Sequence, residues 1–466
     1  MRNNNKLLWL VTALLALATV LVACGASDGG KDNKPSATDK PKETTTVSRY
    51  ESVDTYTKLP NHLSWEQLSA FPVVNKDMTI QEARDLCVEF FRFAKTALWI
   101  PDNDMEFIKN SSGSQDEFVE GAIYGGLPYV GLGSGNVYRL LDYMDPDTGV
   151  VNIKNAVNEE EPYDGWKTFG NQCSIGAYWG WGRVINSAKY TWTQSIVAKN
   201  KFVMLGDLVV KDKDGNIIPI QNADRNWSSN TESKPTNYGT DECMKDNEAQ
   251  KLFEAYALLK SGDGLVYYTT AGHVIMASSD AQVVRKEDGT IDPDASTLTI
   301  IDQGQTWYED GMAADGTQYA YKGGVDTKMT FTKLQKGNYV PFTYLEFLGQ
   351  DGFEDSTAEF SFKGDTITTT ELFSSQVTSN YGISDVYAIV YDEGGNEIYK
   401  HAVRCTQANQ KTLKLIRTTS EKSKVPSVET WGTLGFAPGK VNTVKIVVQL
   451  STGERPTVYE GVLEQG

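Results

Sequence analysis

Histidine is scarce in this 466-residue chain, which has only His62, His273 and His401. Five cysteines accompany them, Cys24, Cys87, Cys173, Cys243 and Cys405, with no CxxC pair. So sparse a set argues against a Cys/His zinc site and against a disulfide-rich framework. Past the first two dozen residues no apolar run is long enough to span a bilayer. Basic residues are also in deficit, 44 Lys and Arg against 61 Asp and Glu, for a net charge of -17. An acidic surface of that kind speaks against nucleic acid as partner and against flat adhesion to anionic lipid. Nothing in the composition implies a metal or an organic cofactor.

What the chain does have begins at its first residue. Arg2 and Lys6 precede Leu7 to Ala23, an almost unbroken run of Leu, Ala, Val and Thr, which reads as the n-region and h-region of a signal peptide. At about 17 residues the run is at the short edge of a membrane span. It ends at Leu21-Val22-Ala23-Cys24, and small residues before a cysteine resemble the lipobox of bacterial lipoproteins. Residues 1–23 are expected to be removed, and Cys24 to carry the lipid that anchors an extracytoplasmic protein to the membrane. Residues 24–48 are mostly Lys, Asp, Glu, Ser, Thr, Pro and Gly. They cannot bury enough apolar area to offset their ordering entropy, and read as a tether.

The remainder exceeds what one core usually supports, so two domains are expected, 49–337 and 338–466. In the first, Thr79-Ile80-Gln81-Glu82 is a capping box, and Ala83, Leu86, Cys87, Phe90, Phe91, Ala94, Ala97 and Leu98 follow at helical spacing. This amphipathic helix should close near Trp99-Ile100-Pro101, with Cys87 a buried structural thiol on its stripe and Glu82 and Glu89 on its solvated face. Farther on, Gly-rich turns, a helical stretch after Cys173 and short alternating strands indicate an α+β layer fold. The polar segment from Lys211 to Thr240 reads as a surface insertion. From 338 the pattern is strand and turn alone, as in Asp385 to Tyr391 followed by Asp392-Glu393-Gly394-Gly395-Asn396, the signature of an immunoglobulin-like β-sandwich.

Two stretches carry chemistry. In Phe169-Gly170-Asn171-Gln172-Cys173-Ser174-Ile175-Gly176, a Gly-containing loop runs into residues able to start a helix. A thiol there meets the positive end of the helix dipole and unpaired backbone N–H groups, which favours thiolate and can hold an oxyanion. In Gly262-Asp263-Gly264-Leu265-Val266-Tyr267-Tyr268-Thr269-Thr270-Ala271-Gly272-His273-Val274, two strands flank a turn and put His273 at the start of the second, where a fixed ring can serve a thiol as base. The ring needs a third group to orient it, and Asp302 and Gln303, ending the Ile-rich strand after Leu298, are both candidates. Cys243 lies among acidic neighbours that raise a thiol's pKa and reads as a bystander. Trp179 and Trp181 read as core.

The order Gly125-Gly126-Leu127-Pro128-Tyr129-Val130-Gly131, a Cys at a helix start, Gly262-Asp263 with Gly272-His273-Val274, then a polar residue ending a strand, resembles the NlpC/P60 cysteine peptidases over about 120–305. That family is papain-like and cleaves amide bonds in bacterial cell-wall peptides. The resemblance implies Cys173 as nucleophile, His273 as base, Asp302 as orienter with Gln303 the alternative, and Tyr129 as a substrate-side tyrosine near the nucleophile. It departs at Gln172-Cys173-Ser174-Ile175, where the family usually has Asp-Cys-Ser-Gly. The expected protein is a cysteine amidase acting on peptidoglycan stem peptides. Its rivals are a catalytically inactive wall-peptide-binding or assembly lipoprotein on the same fold, and an amidase for another acyl or peptide substrate.

Overall fold

The computed structural model describes residues 59–107, 116–130, 133–153, 170–188, 202–211, 214–219, 240–268, 272–405, 410–415, 431, 433, 434, 436 and 441–465. The signal peptide, Cys24, the tether and most of the polar insertion lie outside them. The chain is mixed α+β, with several sheets and few helices. It divides into two compact units, one of 91–177 and 191–343 with the N-terminal residues to Ser64, the other of 65–90, 178–190 and 344–466. No described helix is long and apolar enough to cross a membrane.

The elements that matter to the first unit are, in chain order, α1 (Ile80–Thr96), β1 (Leu98–Pro101), β2 (Tyr124–Gly125), β3 (Val150–Val151), α2 (Cys173–Trp181), β4 (Phe202–Met204), β5 (Gly264–Tyr268), β6 (Gly272–Ala277), β7 (Thr297–Ile301), β8 (Trp307–Met312), β9 (Gln318–Lys322), β10 (Thr327–Thr330) and β11 (Val340–Tyr344). They form a six-stranded sheet, β10-β7-β6-β5-β11-β4, and a five-stranded one, β8-β9-β2-β1-β3. In the first, β5 and β6 are an antiparallel pair with His273 opposite Tyr267, and β7 continues the sheet with Ile301 opposite Met276. Gly262 and Asp263 close the base of this pair. Gly262 N–H donates to Ala277 O, and the Asp263 carboxylate accepts from Lys260 N–H and from Thr343 Oγ1 at 2.5 Å. That strand–turn–strand element is therefore pinned at the end away from His273.

α1 begins with the reciprocal cap its sequence announces. Thr79 N–H donates to Glu82 Oε2 at 2.8 Å, and Glu82 N–H donates to Thr79 Oγ1 at 3.3 Å. The side-chain and backbone hydrogen bonds from Thr79 hold the Glu82 carboxyl below its ordinary value. The helix stops at Thr96, short of the expected close near Ile100, because Leu98 to Pro101 are a buried strand paired with Tyr124–Gly125 and Val150–Val151. Ala97 and Leu98 extend the helical pattern in sequence, but strand pairing claims Leu98. The sheet likewise moves the expected break after residue 337, since β11 pairs with β5, Val340 opposite Val266.

In the second unit, Leu86, Cys87 and Phe90 of α1 are buried, Arg84 lies over the Phe347 ring at 4.3 Å and Arg183 over Phe90 at 4.5 Å. The C-terminal strands make a three-stranded sheet, 358–361, 376–379 and 412–414, and a five-stranded one of 367–368, 457–464, 442–450, 383–391 and 397–404 in spatial order. Both contribute to one apolar cluster that includes Val377, Leu413, Val386, Ile446 and Val448. Each such side chain contributes roughly 1.5–3 kcal/mol by leaving water. This region is not strand and turn alone. A helix, Thr369–Ser374, is set by a second capping box in which Thr368 and Glu371 exchange bonds.

Candidate active site

α2 starts at Cys173, and Gly176 N–H donates to Gln172 O at 2.9 Å, the first i→i−4 bond of the helix. The chain just before it is held by Leu127-Pro128-Tyr129-Val130: Asn171 N–H donates to Pro128 O at 3.1 Å, Val130 N–H donates to Asn171 O at 2.9 Å, and Tyr129 pairs with Asn171 in a short parallel bridge. Tyr129 and Cys173 are both buried. The Pro-Tyr element, remote in sequence, thus pairs with Asn171, two positions before Cys173 in the chain.

His273 sits second on β6, and its Nε2 lies 2.8 Å from Asp302 Oδ2. The two side chains are 19% and 15% exposed, so the pair is sheltered yet reachable. Of the two polar residues ending β7, Asp302 is the one on the ring. Its other oxygen, Oδ1, accepts Gly324 N–H at 2.5 Å, and its own N–H donates to Gly324 O at 3.0 Å. Burial pushes the Asp302 carboxyl up, but the hydrogen bond and charge of His273, the charge of Lys95 and the Gly324 N–H outweigh it and leave the group below its ordinary value. With Nε2 committed to the carboxylate, Nδ1 is the ring nitrogen available for a thiol proton.

Gln303 points elsewhere. Its Nε2 donates to Leu127 O at 3.1 Å and Pro128 O at 3.3 Å, and its Oε1 accepts from Lys95 Nζ. A Cβ added at Gly176, in the first turn of α2, would lie 2.7 Å from Gln303 Cβ. Gln303 therefore ties the Asp302 loop both to the Pro-Tyr element and to the helix that Cys173 opens. Tyr339 joins the same group: its ring meets Tyr267 edge-on at 5.1 Å, Tyr267 is 6.3 Å from the His273 ring, and the Tyr339 hydroxyl, raised by burial first, is raised further by Tyr267, Asp302 and Cys173. Cys173 and Asp302 thus act electrostatically on one phenol.

None of the described cysteines is in a disulfide. Burial pushes the Cys87 thiol far up. Cys243 is pushed up to about 12, by burial first and by Asp246 second. Cys405 is buried in the second unit and donates to Gln410 Oε1 at 3.0 Å. Trp179 and Trp181 are buried. Two members of the site escaped the sequence reading. Lys95 carries a signal that could have exposed it, since it follows Cys87 and Phe91 at i+8 and i+4 on the buried face of α1. Tyr339 carries none.

Close approach around Asp302 makes a sharp test. A Cβ at Gly304 would fall 2.7 Å from Asp302 Oδ2, so Gly304→Ala should displace the carboxylate from the ring. If His273–Asp302 is a working pair, turnover should fall about a hundredfold, the usual penalty for misplacing a catalytic group by an ångström. Steady-state kinetics at unchanged thermal stability is the check.

Comparison of the chain with protein-family models, with curated proteins and with solved structures finds no match in any of the three.

Proposed function

We propose that this protein is a lipid-anchored, extracytoplasmic cysteine amidase with a papain-like, NlpC/P60-type catalytic domain and a C-terminal immunoglobulin-like β-sandwich, acting on amide bonds of peptidoglycan stem peptides. The observation that carries the reading is the His273–Asp302 bond at 2.8 Å, tied through Gln303 to the helix that Cys173 opens. In the proposed reaction the Cys173 thiolate attacks the amide carbonyl carbon while first-turn N–H groups of α2 hold the oxyanion. His273, protonated at Nδ1 and steadied by Asp302, gives its proton to the leaving amine as the C–N bond breaks, leaving an acyl thioester. It then takes a proton from water, whose oxygen attacks the thioester and releases a carboxylate and the thiol. The sandwich reading is supported by the single cluster shared by the two C-terminal sheets.

One observation favours the binding or assembly reading: Cys173 is only 2% exposed. Incubation with purified muropeptides, products read by mass spectrometry, separates the cases. New amines and carboxylates from one bond support amidase action. Intact peptides retained by the protein mean a binding lipoprotein, and turnover of other acyl amides alone means a different substrate.

Anchoring has its own test. Cys24→Ala should leave the protein in the aqueous phase of a detergent partition while wild type enters the detergent phase, because a diacyl anchor supplies two chains at about 0.8 kcal/mol per buried CH₂. Equal partitioning would sink the lipid assignment.

A further inference from the structure

We propose that Lys95 is a positioning residue for the His273–Asp302 pair, its buried ammonium holding in place Gln303, the residue that follows Asp302 in the chain. The inference rests on the amidase reading of this site. Lys95 closes α1 yet is 2% exposed, an expensive place for a lysine unless its charge is used. Its Nζ donates to Gln303 Oε1 and to Lys322 O. With Oε1 thus engaged, the Gln303 amide can face only one way, and its Nε2 donates to Leu127 O and Pro128 O. Pro128 O in turn accepts Asn171 N–H, two residues before Cys173. One lysine therefore orients an amide that joins the Asp302 loop to the segment leading into the nucleophile helix.

Hydrogen bonds alone would not require a charge, since a neutral amine also donates. The charges facing Lys95 are Asp302 after β7 and Lys322 at the end of β9, with His273 on β6 beyond Asp302 and Tyr308 on β8 within reach of the same carboxylate. Burial pulls Lys95 down to about 7, against the pull of Asp302 and with the help of Lys322. The cation is then present in mildly acid solution and lost as pH rises through neutrality. Gln303 keeps a donor on either side of that change, but only below it is the bond charge-assisted and therefore stronger.

The test compares Cys173 alkylation by iodoacetamide, from pH 6 to pH 9, in wild type and Lys95→Met. The wild-type to variant rate ratio is expected to be on the order of tenfold at pH 6 and to fall as pH rises to 9 without reaching one, since the neutral amine still donates to Gln303 and Met does not. A merely structural lysine would give a ratio that does not change with pH, and that result overturns the proposal. A measurement on wild type alone covers a variant that does not fold. In wild type, a lysine ¹³Cε NMR resonance should titrate near 7; if none titrates below about 9, the proposal fails. Where Lys95→Met folds, unfolding of wild type should take up one extra proton between about 7 and 10.4, so its stability relative to the variant should rise with pH across that window. Alkylation and NMR need no turnover. A pH-dependent ratio with no muropeptide cleavage would retire the amidase reading and keep Lys95, whereas cleavage with a flat ratio would do the reverse.

Discussion

Cys173→Ala should abolish amide cleavage, with a loss on the order of a millionfold in kcat, the scale seen when a covalent nucleophile is removed. Cys87→Ala, Cys243→Ala and Cys405→Ala should leave turnover within a few-fold and act on stability instead. The contrast is what makes the result informative. All four thiols are buried, so burial cannot be what distinguishes them. Cys87 and Cys243 are driven by that burial toward the protonated, unreactive form, with no cation or imidazole to offset it beyond the weaker pull of neighbouring Arg and Lys charges. Cys405 spends its S–H on Gln410. Cys173 alone opens a helix of nine residues, in a unit that also holds a His–Asp pair. Product release from muropeptides, followed by mass spectrometry, is the measurement. Residual cleavage by Cys173→Ala at a hundredth of the wild-type rate would mean that another group attacks the amide. Loss of cleavage in Cys87→Ala without loss of folding would move the nucleophile altogether.

How much of this could be read from the sequence depends on how local the determining contacts are. The Thr79–Glu82 cap was legible because both partners lie within one helical turn, and the structure contains both of its bonds. The paired strands around His273 were legible because alternation and glycine placement are properties of ten or so consecutive residues. The end of α1 was not, since Leu98 suits the helical stripe and leaves it only because Gly125 is its partner across a sheet. The helix at Thr369–Ser374 was missed although Thr368 and Glu371 form the same kind of cap as Thr79 and Glu82; its six residues are too few for a 3.6-residue period to show. The residues alone leave both Asp302 and Gln303 open, and only the family resemblance puts Asp302 first. Which of two adjacent side chains turns toward His273 is decided by Gly324, which pins Asp302, and by Lys95 and the Leu127 and Pro128 carbonyls, which claim Gln303. Those partners are far away along the chain, and no local pattern announces them.

The second large effect concerns His273. A thiol that is 2% exposed has burial working against its ionisation, while the start of α2 and, on the amidase reading, the His273 imidazolium work for it. A helix terminus typically contributes only about 0.3–1 kcal/mol, less than one pKa unit. Deep burial can shift a group by several units, so the dipole cannot win alone and the imidazolium must carry the balance. The expected result is that Cys173 in wild type is alkylated by iodoacetamide well below the unperturbed thiol value of about 8.5, and that His273→Ala moves the rate profile to or above it. Amide cleavage should fall by a factor comparable to that for Cys173→Ala, because nucleophile and base act as a unit. Asp302→Ala should cost less, about tenfold to ten-thousandfold, since the carboxylate orients the ring and steadies its charge without taking the proton. Gln303→Ala should shift the alkylation midpoint less than Asp302→Ala does, because its amide faces Lys95 and two backbone carbonyls rather than the ring. Two outcomes would break the assignment. If the profiles of wild type and His273→Ala coincide near the unperturbed value, no thiolate–imidazolium pair exists and the binding or assembly reading replaces the amidase one. If Gln303→Ala shifts the midpoint as far as Asp302→Ala does, the orienting role is shared, and the 2.8 Å bond from His273 to Asp302 is only half of what holds the ring.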